Sequence, residues 1–446
     1  MKRLFLSIAL LGTFVFQADA QRISGTWHGE MQLNSLKLNL VLHLDGDSVC
    51  TVDSPDQGAK GIAGTVKELT AEKVDVQFPM LMAAYTAELK EGKLVGTFKQ
   101  RGFTVPLTLE PGDLIRQRPQ TPKPPFPYET HEVKIAVPSP YGGETERGYT
   151  LAGTLTLPPS FGEGTGASLC LLLVTGSGLQ DRDETLFDHK PFAVIADYLA
   201  RHGIATLRYD DRGFGKSTGD PSKCTTADFA EDAEACIAFL RSTPLLKRGD
   251  GGRLKVGILG HSEGGSIAFM LGAKSLSTRD DGQGKPFVDC IVALAAPGIK
   301  GDTLLVEQTN ALLRLNGQPA NMTLKRLRLT MAMQPTNPWY EYFVEYDPSA
   351  DIAATRCPVL ALNGSLDCQV LPKSNLTAIR SLLRLSEWSA TSPYGGETEG
   401  GFYKEYPGLN HLFQHAQTGA ATEYGNIEET ISEEVLRDIV TWLKNL

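Results

Sequence analysis

Lys255-Val256-Gly257-Ile258-Leu259 is an apolar run that leads into Gly260-His261-Ser262-Glu263-Gly264, and Ser266-Ile267-Ala268-Phe269-Met270-Leu271 follows with helical character. The order is strand, sharp turn, helix. A G-x-S-x-G pentad in this setting forms a nucleophile elbow: the serine takes a strained backbone conformation, and Gly260 and Gly264 must lack a Cβ where strand and helix crowd together. The strain aims the Ser262 hydroxyl out of the sheet. Two glycines around a serine recur by chance in a chain with 45 glycines. The flanking strand and helix give this pentad its meaning.

Outward from the elbow, strands alternate with helices from His131 onward, which predicts an α/β domain over 131–446 with a mostly parallel sheet. Glu132–Val137 and Tyr149–Leu157 lead, followed by the buried run Leu169–Val174. One helix carries Phe192, Ile195 and Leu199 on one face and stops at Gly203, and Ile204–Arg208 is the next strand. Phe229, Ala233, Cys236, Ile237 and Leu240 recur at helical spacing. After the elbow come the strand Cys290–Ala296, a helical insertion of about 301–355 expected to form a lid, the strand Val359–Leu362, and a last helix with Val435, Leu436, Ile439 and Leu443.

A serine hydroxyl is a poor nucleophile near neutral pH and needs a base, an acid to orient that base, and donors for the oxyanion. His411 is the expected base, because it sits in a loop after the last strand signal and before the C-terminal helix; His415 is the alternative. His261 adjoins Ser262 in a backbone that turns its side chain elsewhere, and is read as packing. Asp367 is the expected acid, leaving the end of the Val359–Leu362 strand, whereas Asp347 and Asp351 are read as capping or solvating the lid. The chain order Ser262, Asp367, His411 differs from the order in chymotrypsin and subtilisin types. Oxyanion donors are expected at the backbone N–H of Glu263 and in the turn Thr175–Asp183, at Ser177 or Gly178.

Residues 21–117 have a different rhythm. Leu36, Leu38, Leu40, Leu42 and Leu44 alternate with Lys37, Asn39, Val41 and His43, and Asp45-Gly46, Glu91-Gly92 and Arg101-Gly102 mark turns. About eight short strands predict a small antiparallel barrel or sandwich, either holding a ligand or acting as a positioning domain. Arg118 to Pro127 is proline-rich, and 118–130 is read as an extended spacer between the two domains. Residues 1–20 have a basic start, an apolar stretch from Leu4 to Phe16 and Ala18-Asp19-Ala20, the pattern of a secretory signal peptide cut after Ala20. An exported protein, in a bacterial periplasm or outside the cell, is expected. The apolar stretch falls short of the roughly 20 residues that span a bilayer, so no stable membrane insertion is expected after cleavage.

The formal charge of −9 argues against nucleic acid or an anionic membrane as a partner. Seven cysteines in so long a chain do not make a disulfide scaffold and lack metal-ligand spacing; Cys290 and Cys357 could face each other across neighbouring strands, or all could be buried core residues. Gly213-Phe214-Gly215-Lys216-Ser217 is no phosphate loop, since position 210 would have to be glycine and is Asp210; Asp210, Asp211 and Arg212 are read as a structural ion-pair cluster. Ser139–Glu146 recurs letter for letter as Ser392–Glu399, two expected surface turns.

The Thr175–Asp183 turn, Arg208-Tyr209-Asp210-Asp211-Arg212-Gly213, the elbow, Asn363–Asp367 and Gly408–His411 together resemble the α/β-hydrolase superfamily, more narrowly serine-aminopeptidase-like hydrolases and bacterial carboxylesterases with an N-terminal β domain. The resemblance implies an eight-stranded sheet flanked by helices, no cofactor, and hydrolysis of a small-molecule ester through an acyl-enzyme. Many relatives have His at the position of Thr175 and Pro at that of Leu179. A peptidase acting on small or N-terminal residues, with Glu341 and Glu345 as amine-binding candidates, and a glycan- or lipid-binding protein with an accessory hydrolase domain are the alternatives.

Overall fold

A computed structural model describes residues 23–33, 36–45, 48–57, 59–138, 148–159, 161, 168–246, 253–274, 287–333, 336–388 and 401–446. Residues 1–20 and both copies of the repeated octapeptide lie outside the described residues. The chain divides into two units, Met1–Ile115 and Arg116–Leu446.

In the first unit, eight strands close into an antiparallel barrel: β1 (Gly25–Leu33), β2 (Leu36–Leu44), β3 (Val49–Ser54), β4 (Ala59–Leu69), β5 (Lys73–Phe78), β6 (Ala83–Lys90), β7 (Lys93–Gln100) and β8 (Phe103–Pro111). Pairing of Trp27 with Pro111 and His28 with Glu110 joins the last strand to the first, which leaves no open sheet edge. The period-2 pattern has its expected outcome. Leu38, Leu40, Leu42 and Leu44 are buried in one apolar core with Trp27 and Phe78. Tyr85, also inside, donates its hydroxyl to the Leu94 carbonyl at 2.9 Å. Apolar side chains from every strand but the fourth are buried in this interior.

The second unit is built on a nine-stranded sheet. Its strands are β9 (Glu129–Val137), β10 (Tyr149–Leu157), β11 (Ser168–Val174), β12 (Ala205–Tyr209), β13 (Leu254–His261), β14 (Ile291–Leu294), β15 (Val359–Gly364), β16 (Ser386–Glu387) and β17 (Phe402–Tyr406), in the order β16-β17-β15-β14-β13-β11-β12-β10-β9. β10 alone runs against the rest, pairing antiparallel with β9 and β12, and every other pair is parallel. The ninth strand beyond the expected eight is the two-residue β16, which pairs with β17 at the sheet edge.

Both faces of the sheet are covered, and successive residues of one strand serve different cores. Leu169, Leu171 and Leu173 of β11 join α1 (Pro191–Arg201) in one core; Cys170, Leu172 and Val174 join α2 (Thr226–Ser242) and α3 (Glu263–Lys274) in the other. The insertion between β14 and β15 is helical, as expected: α4 (Gly301–Leu315), α5 (Leu324–Met333), α6 (Pro338–Glu345) and α7 (Ser349–Ala354). After β15 follow α8 (Asn375–Leu383), α9 (Ala421–Tyr424) and α10 (Glu433–Lys444), the last packed beside α1.

One expectation needs correction. The proline-rich stretch is not a free spacer: Arg118 donates to the carbonyls of Phe187, Gly425 and Ile427, and Gln120 to that of Ile431, all within the second unit. Peptide carbonyls at loop ends need donors, and these side chains supply them. Of the two readings of the cysteines, the unpaired one holds: all seven are free, and all but the half-buried Cys357 are buried. Burial pushes the thiols of Cys50 and Cys368 up to about 11 and that of Cys357 to about 12, which makes them poor nucleophiles.

Candidate active site

Ser262 follows the last residue of β13 and precedes the first of α3, with φ of 53°. That left-handed conformation is costly for a residue with a Cβ, and the surroundings enforce it. Ser262 N–H donates to the Leu294 carbonyl at 2.8 Å, and Gly265 N–H to the Ser262 carbonyl at 2.9 Å. A Cβ on Gly264 would stand 2.1 Å from the Val174 carbonyl oxygen, and one on Gly260 would stand 2.1 Å from that of Gly264. Only glycine fits at either position.

Asp367 leaves the C-terminal end of β15. Its Oδ1 accepts the N–H groups of Gln369 and Val370, each at 2.8 Å, and its Oδ2 lies 2.8 Å from Nδ1 of His411. Both side chains are buried. His411 lies in the loop after β17, whose Phe402-Tyr403-Lys404-Glu405-Tyr406 the sequence does not mark as a strand, because polar and aromatic residues interrupt the period. Ser262 and His411 line one cavity of about 340 Å³, together with Gly176 and Ser177 from the turn after β11. Gly178 does not line it. Glu263 begins α3, where first-turn N–H groups lack intrahelical partners.

The alternatives lie elsewhere. His415 is exposed and pairs with Glu429 at 2.8 Å. Asp347 caps the turn at Ser349 N–H, and Asp351 accepts the Tyr346 hydroxyl at 2.7 Å. In α6, Trp339 and Phe343 stack with ring centroids 5.4 Å apart and line the cavity with Tyr340, Leu304 and Leu305. Tyr342 and Tyr346 instead stack on each other against the core.

Three side chains have partners at the site that sequence reading did not foresee. Glu184 accepts the N–H of Gly176 at 2.9 Å and meets His261 Nδ1 at 2.9 Å, so His261 is more than packing. The carboxyl of Glu263 is buried and receives Thr226 Oγ1 at 2.6 Å and Trp339 Nε1 at 2.8 Å, with Ser177 as a third donor; its pKa is raised, because burial without a cation outweighs those hydrogen bonds. Asp211 departs from the expected ion-pair cluster. Asp210 pairs with Arg182 at 2.8 Å and Arg212 with Asp232 at 2.9 Å, but Asp211 accepts Gln180 N–H at 2.7 Å and meets Thr175 Oγ1 at 3.2 Å. Burial, with the charges of Asp232 and Glu263 nearby, pushes it up to about 8. Asp-Asp-Arg in the sequence signals a charge cluster, but not which member goes unpaired.

The family model described as serine aminopeptidase, S33, matches residues 189–366, from the strand-helix units before the elbow to the end of β15. Over that segment the chain is similar to this family of α/β hydrolases. Esterase EstD of Thermotoga maritima is 27% identical over 243 residues, 52% of this chain. The match spans about half the length of that relative, 53%. Among solved structures, an esterase from Pyrococcus furiosus aligns with TM-score 0.42 and 15% identity over 75% of this chain and 98% of its own. A thermophilic esterase from Thermogutta terrifontis aligns with TM-score 0.40 and 18% identity over 71% and 98%.

Proposed function

We propose that the chain is an exported serine hydrolase that cleaves small carboxylic esters through an acyl-enzyme. The observation that carries this reading is that Ser262, on its strained elbow, opens into the same cavity as His411, whose other ring nitrogen is held by Asp367. In the proposed reaction His411 Nε2 takes the Ser262 proton as Oγ attacks the ester carbonyl, and the oxyanion is received by the N–H groups of Glu263 and Ser177. Ser177 is favoured over Gly178 because it lines the cavity. The imidazolium returns its proton to the departing alkoxide, leaving an ester on Ser262; water, deprotonated by His411, then releases the acid. Asp367 holds the tautomer that leaves Nε2 free to accept.

The cavity supports a small neutral acyl group. Leu304, Leu305, Trp339, Tyr340 and Phe343 supply an apolar wall. A peptidase for N-terminal residues needs a carboxylate free to meet the substrate amine. Neither candidate lines the cavity among the described residues: Glu345 pairs with Lys300 and Arg328, and Glu341 accepts the Thr336 hydroxyl. The carboxylate that does line it, Glu184, already has two partners. The name of the Thermotoga maritima relative also favours ester cleavage.

The test compares purified wild type and Ser262→Ala on p-nitrophenyl esters of graded acyl length and on aminoacyl anilides. Turnover of short acyl esters by wild type, lost in Ser262→Ala with an unchanged melting temperature, is expected. Retained turnover in the variant, or faster cleavage of anilides than esters, would overturn the reading. N-terminal sequencing of the exported protein checks cleavage after Ala20.

A further inference from the structure

We propose that Glu184 and His261 form a buried carboxylate–imidazolium pair that positions two parts of the active site at once, the main chain of His411 and that of Gly176. The proposal rests on the reading of Ser262, Asp367 and His411 as the catalytic centre. Its geometry does not depend on which ester is cleaved.

His261 Nδ1 lies 2.9 Å from Glu184 Oε1, and Nε2 lies 3.0 Å from the carbonyl oxygen of His411. The carbonyl can only accept, and Glu184, as the carboxylate of the proposed pair, accepts as well. A neutral imidazole has one N–H and could serve only one of them, so satisfying both requires a proton on each nitrogen. The resulting cation is next to a buried carboxylate, and such a charge is tolerated only when paired and hydrogen-bonded. Exposure of the two side chains is 8% and 5%.

The charged groups facing His261 agree with this state. Burial works against the proton, but the Glu184 carboxylate, the His411 carbonyl and the more distant Asp367 outweigh it, and the pKa of His261 is raised. The ring of His411 is also adjacent, with centroids 4.7 Å apart.

Glu184 extends the link in the other direction, because its Oε1 also accepts the N–H of Gly176. A Cβ on Gly176 would lie 3.2 Å from that of Ser262, so the turn holding Ser177 lies directly against the nucleophile. Three separate segments therefore meet on one ion pair: the turn after β11, the last residue of β13, and the loop carrying His411. Glu184 itself has φ of 53°, a conformation that the surrounding contacts must hold in place. Neither residue of the pair takes or gives a proton in the reaction. They are positioning residues, and an error of about 1 Å in such parts costs on the order of 100-fold in rate.

The experiment is nitrogen-15 NMR of the full chain labelled in its histidines, with His261 assigned through bonds from its backbone, alongside kinetics of Glu184→Gln. Wild-type His261 is expected to show two protonated ring nitrogens at pH 7. In Glu184→Gln it should become neutral at that pH, with kcat down roughly 10–100-fold and KM within about twofold, since a carboxamide cannot balance the charge. A neutral His261 in the wild type would overturn the proposal without any variant. So would Glu184→Gln with wild-type kcat and an unchanged melting temperature. Activity in Ser262→Ala beside a cationic His261 would instead sink the catalytic reading and leave the ion pair standing.

Discussion

Nδ1 of His411 and Oδ2 of Asp367 lie 2.8 Å apart in a pocket that leaves the two side chains 5% and 0% exposed. The other oxygen of Asp367 is fixed by two main-chain N–H groups. In Asp367→Asn those donors hold the amide oxygen, so its NH₂ must point at the imidazole. His411 then has to accept at Nδ1 and carry its proton on Nε2, where it cannot receive one from Ser262. A fall in kcat of roughly 10³–10⁴-fold with little change in KM is expected from burst and steady-state assays. His415→Ala should leave both unchanged, since that ring is on the surface with Glu429.

Trp339 joins α6 to the elbow. Its indole N–H reaches the buried Glu263 carboxyl, while its ring forms part of the cavity wall. Trp339→Phe keeps most of the wall but leaves Glu263 one donor short, an expected loss of about 1–3 kcal/mol with acyl preference retained. Trp339→Ala also enlarges the cavity. In that variant kcat/KM should shift about tenfold from acetyl toward octanoyl esters, measured as a ratio within one preparation.

Much of this fold is legible in sequence because the elements that build it have single, strong periods. The leucines of β2, the continuous apolar run of β11 and the helical spacing of Val435, Leu436 and Ile439 each admit one reading. The elbow is legible for a related reason: only glycine fits at 260 and 264, so a steric demand is written directly as letters. The Glu184–His261 link is not. Its two residues are 77 positions apart, and nothing local distinguishes Glu184 from the acids Asp181 and Asp183 beside it. The strand β17 escapes notice because Lys404 and Glu405 break its apolar run; Lys404 reaches out to Glu434 and Asp438, a tertiary contact with no local trace.

Asp211 gives stability an alkaline dependence. Its ordinary pKa is 3.8 and its folded value about 8, so between those pH values the folded chain holds a proton that the unfolded chain has lost. The contribution is present in full below about pH 4 and declines as pH rises through about 8. Asp211→Asn mimics the protonated form: its oxygen can accept from Gln180 N–H while its NH₂ faces Thr175 Oγ1. The melting temperature of the variant should gain on wild type steadily from pH 5 to 8. Parallel curves for the two proteins would contradict this assignment.

His189 acts in the opposite direction, and the two can be separated. It is fully buried; Nε2 lies 2.9 Å from the Tyr424 carbonyl oxygen and 3.0 Å from Gln414 Nε2, and Nδ1 lies 2.8 Å from Thr430 Oγ1. Burial, with Arg118 and Arg116 nearby, lowers its pKa from 6.5 to about 4. Below pH 6.5 the unfolded chain binds a proton that the folded chain refuses until about pH 4, so this contribution is complete above 6.5 and is lost as pH falls toward 4. In wild type the slope is partly masked, because Asp211 favours the folded state over the same acid range. Asp211→Asn should therefore show a steeper loss of melting temperature from pH 6.5 to 4.5 than wild type. Adding His189→Asn should flatten that limb at a lower overall stability. A limb that keeps its slope in the double variant would assign it to carboxylates elsewhere in the chain.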